Sequence, residues 1–323
     1  MAPKRGGKRP SKKKTARKRA PATAKKTAKK GAPAPEWAGE PFTVIGAGTM
    51  GHGIAQAAAM AGYEVRLYDV SEAALDAALA KIRSNLNQGV KLGKVESADA
   101  KAALGRITAL GLLEEAVRDA DFIVEAAPED LELKRDLFRR LDRVARPGAI
   151  LASNTSSIRI ARIADATEHP GRLLGLHFFN PAYLMALVEV VRGPKTSQYA
   201  LERAVQVARR LGKTPIVVED TPGFASTRLG VLIGLEAMRM VEEGVAKPAD
   251  IDAAMELGYR HPMGPLKLTD LIGLDVRLAI AEYLHRELGL EQYRPPEILR
   301  RLVGQGKLGK KSGEGFYRWS EED

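Results

Sequence analysis

The stretch that decides the fold reads Phe42-Thr43-Val44-Ile45-Gly46-Ala47-Gly48-Thr49-Met50-Gly51-His52-Gly53-Ile54. A short apolar run leads directly into a G-x-G-x-x-G pattern, and apolar residues then recur at helical spacing. Gly46 permits a tight turn, Gly48 lets the backbone approach a pyrophosphate, and Gly51 lets the helix pack close to the strand. The first helical turn, with Thr49 and Met50, would present N–H groups to the phosphates. The pattern therefore predicts a strand, a turn and a dinucleotide-binding helix.

A second predicted strand, Glu64 to Tyr68, leads into Asp69 at the spacing that a dinucleotide fold requires. A carboxylate at this position accepts both ribose hydroxyls of NAD and repels the 2′-phosphate of NADP. Arg66 lies close enough in sequence to keep NADP as an alternative. An acidic turn residue without a ligand is the other interpretation. The spacing favours NAD as the cofactor.

The composition excludes several classes of protein. The chain has 323 residues and no cysteine, so disulfides, thiolate catalysis and cysteine-ligated metals are excluded, and we predict no metal site. No apolar run is long enough to span a membrane. We expect a cytoplasmic protein without membrane contact.

The formal net charge of +11 is concentrated at the N-terminus. Residues 1–36 contain 14 Lys and Arg and one Glu, so their net charge is +13 and that of the remainder is −2. With so little apolar bulk, we predict that they form a disordered basic tail. Two interpretations stay open. The tail binds DNA, RNA or another polyanion in a salt-dependent manner, or it is a solvated extension with no bearing on catalysis.

Strand and helix patterns alternate after the glycine turn, which predicts a parallel sheet with crossover helices. The last predicted strand ends near Asp220, and only helical spacing follows. We therefore predict an α/β fold: a Rossmann-type doubly wound sheet over residues 38–220, followed by an all-α domain over residues 221–323.

Three polar residues lie in or just after apolar strands, where ligands meet an open α/β sheet. They are Ser156, His177 and Glu189. A buried carboxylate needs a partner, and a histidine is a natural one. Glu189 would fix the imidazole tautomer and stabilise the cation when His177 accepts a proton. Ser156 has a second interpretation, as a cap for a helix that starts near Ile158.

From about Pro41 onward the chain resembles the 3-hydroxyacyl-CoA dehydrogenases, most closely the bacterial 3-hydroxybutyryl-CoA dehydrogenases. The motifs that carry the resemblance are VIGAGTMGHGIAQ, ASNTSS, HFFNPAYLMALVEVV, TPGFASTRL, EEGVAKPADIDAAMELGYRHPMGPLKLTDLIGLD and KKSGEGFY. The resemblance implies reversible NAD-dependent oxidation of an (S)-3-hydroxyacyl-CoA, with His177 as base and Glu189 as its partner. It places the substrate-contacting serine at Ser156. The implied NAD contacts are the glycine loop, Asp69, Glu129, Lys134, Ser156, Asn180 and Lys311. It also implies a homodimer formed by the C-terminal helices.

One position departs from the family pattern. Relatives usually have Asn after P-G-F-x-x, where an amide polarises the C3 oxygen of the substrate, whereas this chain has Thr227. A threonine hydroxyl offers one donor where the amide offers two. The expected loss is about one oxyanion-type contact, up to roughly a hundredfold in rate, unless Ser226 or a water replaces it.

The substrate brings phosphates of its own. The predicted helical excursion after Asp69 carries Arg83, Lys91 and Lys94, and we expect Lys91 and Lys94 to contact the CoA phosphates; a solvated helix face is the alternative. Two other functions remain as alternatives at this stage. One is a dehydrogenase of a free hydroxy acid, similar to gulonate or carnitine dehydrogenases. The other is a nucleic-acid-associated protein that acts through residues 1–36.

Overall fold

The computed structural model describes residue 37 and residues 39–320. The predicted basic tail, residues 1–36, lies outside the described residues. Strands are β1 (Pro41–Ile45), β2 (Glu64–Tyr68), β3 (Ile107–Leu110), β4 (Phe122–Glu125), β5 (Ile150–Ser153), β6 (Leu173–Phe178), β7 (Leu187–Arg192) and β8 (Thr214–Glu219). All eight belong to one sheet.

The helices of the sheet region are α1 (Thr49–Met60), α2 (Glu72–Lys91), α3 (Ser97–Gly105), α4 (Leu113–Val117), α5 (Leu131–Val144), α6 (Ile160–Ala164) and α7 (Gln198–Arg210). After β8 the described elements are helical: α8 (Ser226–Glu242), α9 (Pro248–Ala253), α10 (Pro265–Ile272), α11 (Leu274–Leu288) and α12 (Glu297–Gly304), with short 3₁₀ and π turns between them. The predicted fold class, a Rossmann-type sheet followed by a helical region, is confirmed.

The strand order is β3-β2-β1-β4-β5-β6-β7-β8. The chain leaves β1 in one direction and returns at β4 to build the other half, so the switch point lies between β1 and β4. In such a sheet ligands bind outside the carboxyl ends of the strands at this point. The glycine turn of residues 46–51 therefore lies in the crevice.

The sheet is not wholly parallel, in contrast to the sequence-based prediction. Strand β7 runs antiparallel to β6, and β8 is parallel to β7. A parallel crossover needs a dozen or more residues, whereas the segment 179–186 between β6 and β7 is too short for one. This reversal places His177 directly opposite Glu189.

Two further elements differ from the sequence pattern. Strand β3 was not predicted, because its four residues pair only with β2 and carry no sustained β-branched run. The helical spacing that runs from Gly264 to Leu288 is divided into α10 and α11 at Gly273, whose φ is 106°. A left-handed residue cannot continue a right-handed helix, so the axis changes direction there.

The helical region has its own apolar core, in which Val231, Leu235 and Met238 of α8 pack against Leu266 and Leu284. Buried Asp270 holds the C-terminal segment to this core by accepting hydrogen bonds from the backbone of Phe316 and Tyr317 and from Trp319 Nε1. Within residues 37 and 39–320, no helix is both long and apolar enough to cross a bilayer.

Candidate active site

The glycine turn is shaped by close backbone contacts. Gly46 has φ of 97°, and a Cβ there would lie 2.7 Å from the carbonyl oxygen of Ala126. A Cβ on Gly51 would lie 1.7 Å from the carbonyl oxygen of Gly46, so a side chain would force β1 and α1 apart. A Cβ on Gly48 would meet no atom within 4 Å. The turn thus has two structural glycines and one that opens the approach to the first turn of α1.

Asp69 completes this turn from β2. Its Oδ2 accepts a hydrogen bond from Ala47 N at 2.7 Å, and its Oδ1 accepts one from Ser71 N at 2.9 Å. Arg66, the residue that kept NADP open, donates instead to Asp119 on the far side of β2. The Asp69 carboxylate therefore faces the turn, and the guanidinium of Arg66 is not paired with it. This arrangement suits the ribose of NAD.

These features line a cleft of about 1280 Å³ between the sheet and the helical region. Its walls include Gly48, Thr49, Met50, Asp69, Glu129, Asn154 and Ser156 on the sheet side, and Val276, Ala279, Ile280 and Tyr283 of α11 on the other. The glycine cradle, the uncapped first turn of α1 and the carboxylate of Asp69 fit an NAD molecule with its pyrophosphate at the helix N-terminus.

Glu129 joins the two loops that form one rim of this cleft. Its Oε1 accepts hydrogen bonds from Thr155 Oγ1 at 2.6 Å and from the backbone N–H groups of Ser156 and Ser157, both at 3.1 Å. Partial burial acts to raise the pKa of Glu129, but the charge of Lys134 and the hydroxyl donors outweigh it and hold the pKa below its ordinary value. Glu129 is therefore an anion that orders the Ser156 loop.

Ser156 is not a helix cap, so that interpretation is wrong. Helix α6 begins at Ile160, and Asp220 caps it by accepting from the N–H groups of Ile160 and Ala161 at 2.7 and 2.8 Å. The Ser156 hydroxyl has no hydrogen-bond partner among the residues that the structure describes and lies on the wall of the cleft. Ser153, in contrast, is fully buried and donates to Glu125.

A buried ion pair lies beneath the cleft. Lys134 is 1% exposed, and its Nζ lies 2.5 Å from Oε1 of fully buried Glu125 and 3.6 Å from Oε2 of Glu129. Glu125 also accepts from Ala127 N at 2.7 Å and from Ser153 Oγ at 2.6 Å. The sequence predicts that Lys134 contacts NAD, whereas in the structure its ammonium group holds the loop of residues 125–129. These two roles compete for the same side chain. Sequence reasoning did not select Glu125, although an acidic residue at the end of an apolar strand was the signal.

His177 and Glu189 form a hydrogen-bonded pair across β6 and β7. The distance from His177 Nδ1 to Glu189 Oε2 is 2.8 Å, and the two residues are 5% and 0% exposed. Because an ionised carboxylate only accepts, Nδ1 carries the proton and Nε2 keeps its lone pair. Phe179 and Phe224 pack against the ring, with centroid distances of 4.7 and 5.9 Å. The arrangement suits a general base.

Glu189 is also bound by the start of α8. Its Oε1 accepts from the N–H groups of Ala225 and Ser226 at 3.1 and 2.8 Å, and its Oε2 accepts from Ser226 Oγ at 2.7 Å. Burial alone would raise the pKa of Glu189, but the hydrogen bonds from His177 and Ser226 lower it below its ordinary value. Ser226 is thus engaged with Glu189, which argues against the expectation that its hydroxyl replaces the family amide at the substrate oxygen.

Thr227, Asn180 and Lys311, the remaining predicted site residues, are not among the residues that line the cleft. Thr227, the second residue of α8, is half-buried, and its hydroxyl has no hydrogen-bond partner within residues 39–320. Asn180 is exposed and precedes Pro181 directly after β6. Lys311 is bound to Asp275 at 2.5 Å, next to the cleft residue Val276. In this arrangement Lys311 pairs with the start of α11 and does not line the cleft.

A second cavity, of about 510 Å³, lies beside α1 and α2. Its lining includes Met60, Leu92, Lys94, Leu184 and Arg210. Lys94 thus belongs to a built pocket with an apolar floor and two cationic residues. Lys91, at the end of α2, and Arg83, also on α2, are exposed, and neither lines this cavity.

Comparison with known proteins agrees with this geometry. Residues 42–221 match the family model described as "3-hydroxyacyl-CoA dehydrogenase, NAD binding domain", and residues 223–319 match "3-hydroxyacyl-CoA dehydrogenase, C-terminal domain". A protein of Bacillus subtilis named "Probable 3-hydroxybutyryl-CoA dehydrogenase" is 47% identical over 279 residues, which are 86% of this chain and 97% of the relative. The human mitochondrial hydroxyacyl-coenzyme A dehydrogenase is 43% identical over 284 residues, 86% of this chain and 90% of that protein.

Solved structures give the same result. The crystal structure of (S)-3-hydroxybutyryl-CoA dehydrogenase from Ralstonia eutropha is 40% identical, with a TM-score of 0.84 over 87% of this chain and 99% of the other. The NAD-binding region confirms the predicted cofactor class. The chain belongs to the 3-hydroxyacyl-CoA dehydrogenase family of NAD-dependent oxidoreductases.

Proposed function

We propose that this enzyme oxidises (S)-3-hydroxybutyryl-CoA to acetoacetyl-CoA, and the reverse, with His177 as the general base and Glu189 as its orienting partner. The observation that carries the proposal is the 2.8 Å contact between His177 Nδ1 and Glu189 Oε2, which leaves Nε2 of the buried ring as the proton acceptor. The names of the bacterial relatives support a four-carbon acyl group.

The chemistry divides between the cofactor and the protein. NAD, held by the glycine turn and Asp69, would supply the hydride acceptor for C3 of the substrate. His177 removes the proton of the C3 hydroxyl at Nε2, and Glu189 stabilises the imidazolium that results. In the direction of reduction the same imidazolium returns the proton. Asn154 supports this arrangement, since its Oδ1 accepts from Phe178 N at 2.9 Å and so holds the chain beside His177.

Two hydroxyls are assigned to the developing carbonyl. Ser156 lies on the cleft wall with its hydroxyl uncommitted, and Thr227 follows the residues that bind Glu189. Each supplies one donor to the C3 oxygen. Because Ser226 is engaged elsewhere, we expect this enzyme to work with one donor fewer than a relative with asparagine at position 227, unless a water completes the set.

We assign the CoA portion to the cavity of 510 Å³ beside α1 and α2. Its apolar walls suit pantetheine, and Lys94 offers positive charge to the phosphates, whereas Arg210 is already paired with Glu40 at 3.0 Å. This pocket, together with membership of the family, favours a CoA thioester over the free hydroxy acids that were the alternative.

We propose that the enzyme is a homodimer assembled through its helical region. Neighbouring helices expose apolar side chains, namely Leu229 and Ile233 of α8 and Leu268, Leu271 and Ile272 of α10. Among the described residues, the guanidinium of Arg277 on α11 has no hydrogen-bond partner although it is only 4% exposed, and burial lowers its pKa to about 10. A buried cation without acceptors is costly, and a second copy would supply them.

Two predictions for the rest of the molecule stay open. Binding of the basic tail to a nucleic acid or another polyanion falls on residues outside the described part of the chain. A cytoplasmic location is an expectation carried from the sequence. The test is a DNA mobility shift. If the shift is sensitive to salt and disappears on deletion of residues 1–36, while dehydrogenase activity is unchanged, the tail binds DNA independently of catalysis.

The experiment that tests the proposal follows NADH at 340 nm with (S)-3-hydroxybutyryl-CoA and NAD, for the parent enzyme and His177→Ala. Turnover in the parent and its collapse in the variant, with NAD affinity retained in both, is the expected result. If the variant keeps its rate, His177 is not the base. If the parent turns over a free 3-hydroxy acid in preference to the thioester, the substrate assignment is wrong.

A further inference from the structure

Ser226 stands at the meeting point of the two regions of the enzyme. It is the first residue of α8, and its backbone N–H and its hydroxyl both donate to Glu189, at 2.8 and 2.7 Å. Its hydroxyl and His177 Nδ1 donate to the same carboxylate oxygen, Oε2. A change at Ser226 therefore reaches the base through Glu189.

We propose that Ser226 is a positioning residue for the reaction, whose hydroxyl sets the basicity of His177 by sharing the Oε2 atom of Glu189. The inference rests on the proposed role of His177 as the base.

The hydrogen-bond donors of Glu189 decide how its negative charge is distributed. Four donors bind this carboxylate: His177 Nδ1, Ser226 Oγ and the N–H groups of Ala225 and Ser226. Each donor withdraws charge from the oxygen that it binds, so the hydroxyl weakens the attraction between Oε2 and a protonated imidazole. Without the hydroxyl, Oε2 would have one donor, and the imidazolium of His177 would be better stabilised.

The hydroxyl also limits movement of the carboxylate. The two backbone donors bind Oε1, so they fix one oxygen and leave the plane of the carboxylate to rotate about it. The hydroxyl of Ser226 binds the other oxygen, Oε2, and so fixes the plane of the carboxylate that accepts from His177. Without the hydroxyl we therefore expect a change in the basicity of His177 and a smaller loss of orientation of the Glu189 carboxylate.

Among the described residues, the hydrogen bonds and ring contacts of His177 involve no charged side chain other than Glu189. The residue of β8 that pairs with Glu189 is the apolar Ile216. Around the ring of His177 lie the neutral Phe179 and Phe224, and β5 leads to the neutral Asn154 beside Phe178. The next charged side chain along α8 is Arg228, whose stem packs against Gly223. Glu189 is therefore the anion that faces the imidazole, and its donors govern the effect.

The test measures pH profiles of kcat/KM for the full-length enzyme in both directions, with (S)-3-hydroxybutyryl-CoA plus NAD and with acetoacetyl-CoA plus NADH. Oxidation needs the neutral imidazole and is lost at low pH, whereas reduction needs the imidazolium and is lost at high pH. For Ser226→Ala we expect both midpoints to move upward, by about half a pH unit.

Matched variants separate this role from a structural one. Ser226→Thr keeps the hydroxyl and should keep the parent midpoints, and Ser226→Cys, with its weaker donor, should give an intermediate shift. Ser197→Ala removes the hydroxyl that accepts from Ala200 N at the start of α7 and should leave the midpoints unchanged. Titration of ¹⁵N-labelled imidazole by NMR, in a chain with five histidines, should report the same upward shift for His177.

The outcomes are decisive. Lower rates for Ser226→Ala with unmoved midpoints would overturn the proposal and leave only a packing role, as would an equal shift in Ser197→Ala. If Ser226→Ala does not fold, the midpoint of Ser226→Cys decides between the same alternatives. An active His177→Ala variant would instead refute the proposed function, independently of the result at Ser226.

Discussion

His177 and Glu189 occupy directly opposed positions on β6 and β7, and their side chains meet at 2.8 Å, with the two residues 5% and 0% exposed. Their register depends on the antiparallel turn after β6, since a one-residue slip would send the carboxylate to the opposite face of the sheet. The pair is further fixed by the N-terminus of α8, which binds the far oxygen of Glu189. The base is thus held by the sheet on one side and by the helical region on the other.

The first prediction concerns Glu189→Gln. The backbone donors of Ala225 and Ser226 require an acceptor, so the amide oxygen turns to them and the NH₂ group turns to His177. Nδ1 must then accept, and the proton moves to Nε2, where the base is needed. We expect kcat/KM to fall about a thousandfold. Steady-state kinetics measures the rate. The affinity for NAD serves as the control, because Glu189 is not one of the residues expected to contact NAD. A loss smaller than tenfold would contradict the assigned tautomer.

The second prediction separates two glycines of the cofactor turn. In Gly51→Ala the new Cβ meets the carbonyl oxygen of Gly46 at 1.7 Å, so the variant should lose about 2 kcal/mol or more of unfolding free energy. In Gly48→Ala the Cβ meets nothing within 4 Å and the backbone φ of −68° is ordinary, so stability should be unchanged. There the methyl group stands where the pyrophosphate approaches, and the Kd for NAD should rise about tenfold or more.

Urea denaturation and calorimetric titration with NAD measure the two effects. We expect Gly51→Ala to be less stable than the parent. We expect Gly48→Ala to be as stable as the parent but to bind NAD more weakly. Equal stability losses would show that Gly48 is also required by the packing of the turn, and an unchanged NAD affinity in Gly48→Ala would place the pyrophosphate elsewhere.

The sequence was sufficient for features that are imposed locally. Gly46 and Gly51 could be assigned because the turn demands their conformation and their lack of a side chain. His177 and Glu189 could be paired because polar residues in apolar strands need partners. The Rossmann-type fold class followed from the alternation of strands and helices.

Features that depend on distant segments could not be predicted in the same way. Glu125 accepts from its near neighbour Ala127, but also from Lys134 of α5 and from Ser153 of β5, which is 28 residues later in the chain. The hydroxyl of Ser226 reaches a carboxylate 37 residues earlier in the chain, and the sequence alone did not distinguish that partner from the substrate oxygen.

The third prediction concerns the substrate pocket. Lys94→Ala should raise KM for acetoacetyl-CoA about fivefold, the effect of losing one exposed charge contact with a phosphate. The same variant should be unaffected with the N-acetylcysteamine thioester, which has the thioester and part of the pantetheine arm but no phosphate. Lys101→Ala, on the exposed face of the neighbouring helix α3, is the matched control. An equal rise in KM for both thioesters would exclude a phosphate contact at Lys94.

The fourth prediction concerns acid stability. Asp142 accepts from Arg172, at 2.8 Å to Nη2, and from the N–H groups of Glu168 and His169. Burial acts to raise the pKa of Asp142, and these donors outweigh it and lower the pKa below its ordinary value. Because the unfolded chain then binds the proton more tightly, the contribution to stability is present above the unfolded pKa of about 3.9 and is lost as the pH falls through the folded value.

Asp142→Asn should therefore destabilise the enzyme at pH 7 by about 3 kcal/mol, because it leaves the largely buried Arg172 without its counter-ion. The variant should also flatten the loss of stability below pH 4. Asp119→Asn is the control, since Asp119 also pairs with an arginine but its side chain is 57% exposed, and surface pairs contribute little. Urea unfolding at pH 7 and at pH 3 measures both variants. If Asp142→Asn is as stable as Asp119→Asn at pH 7, or if its unfolding free energy keeps the acid dependence of the parent, the buried carboxylate of Asp142 is not what makes the fold sensitive to acid.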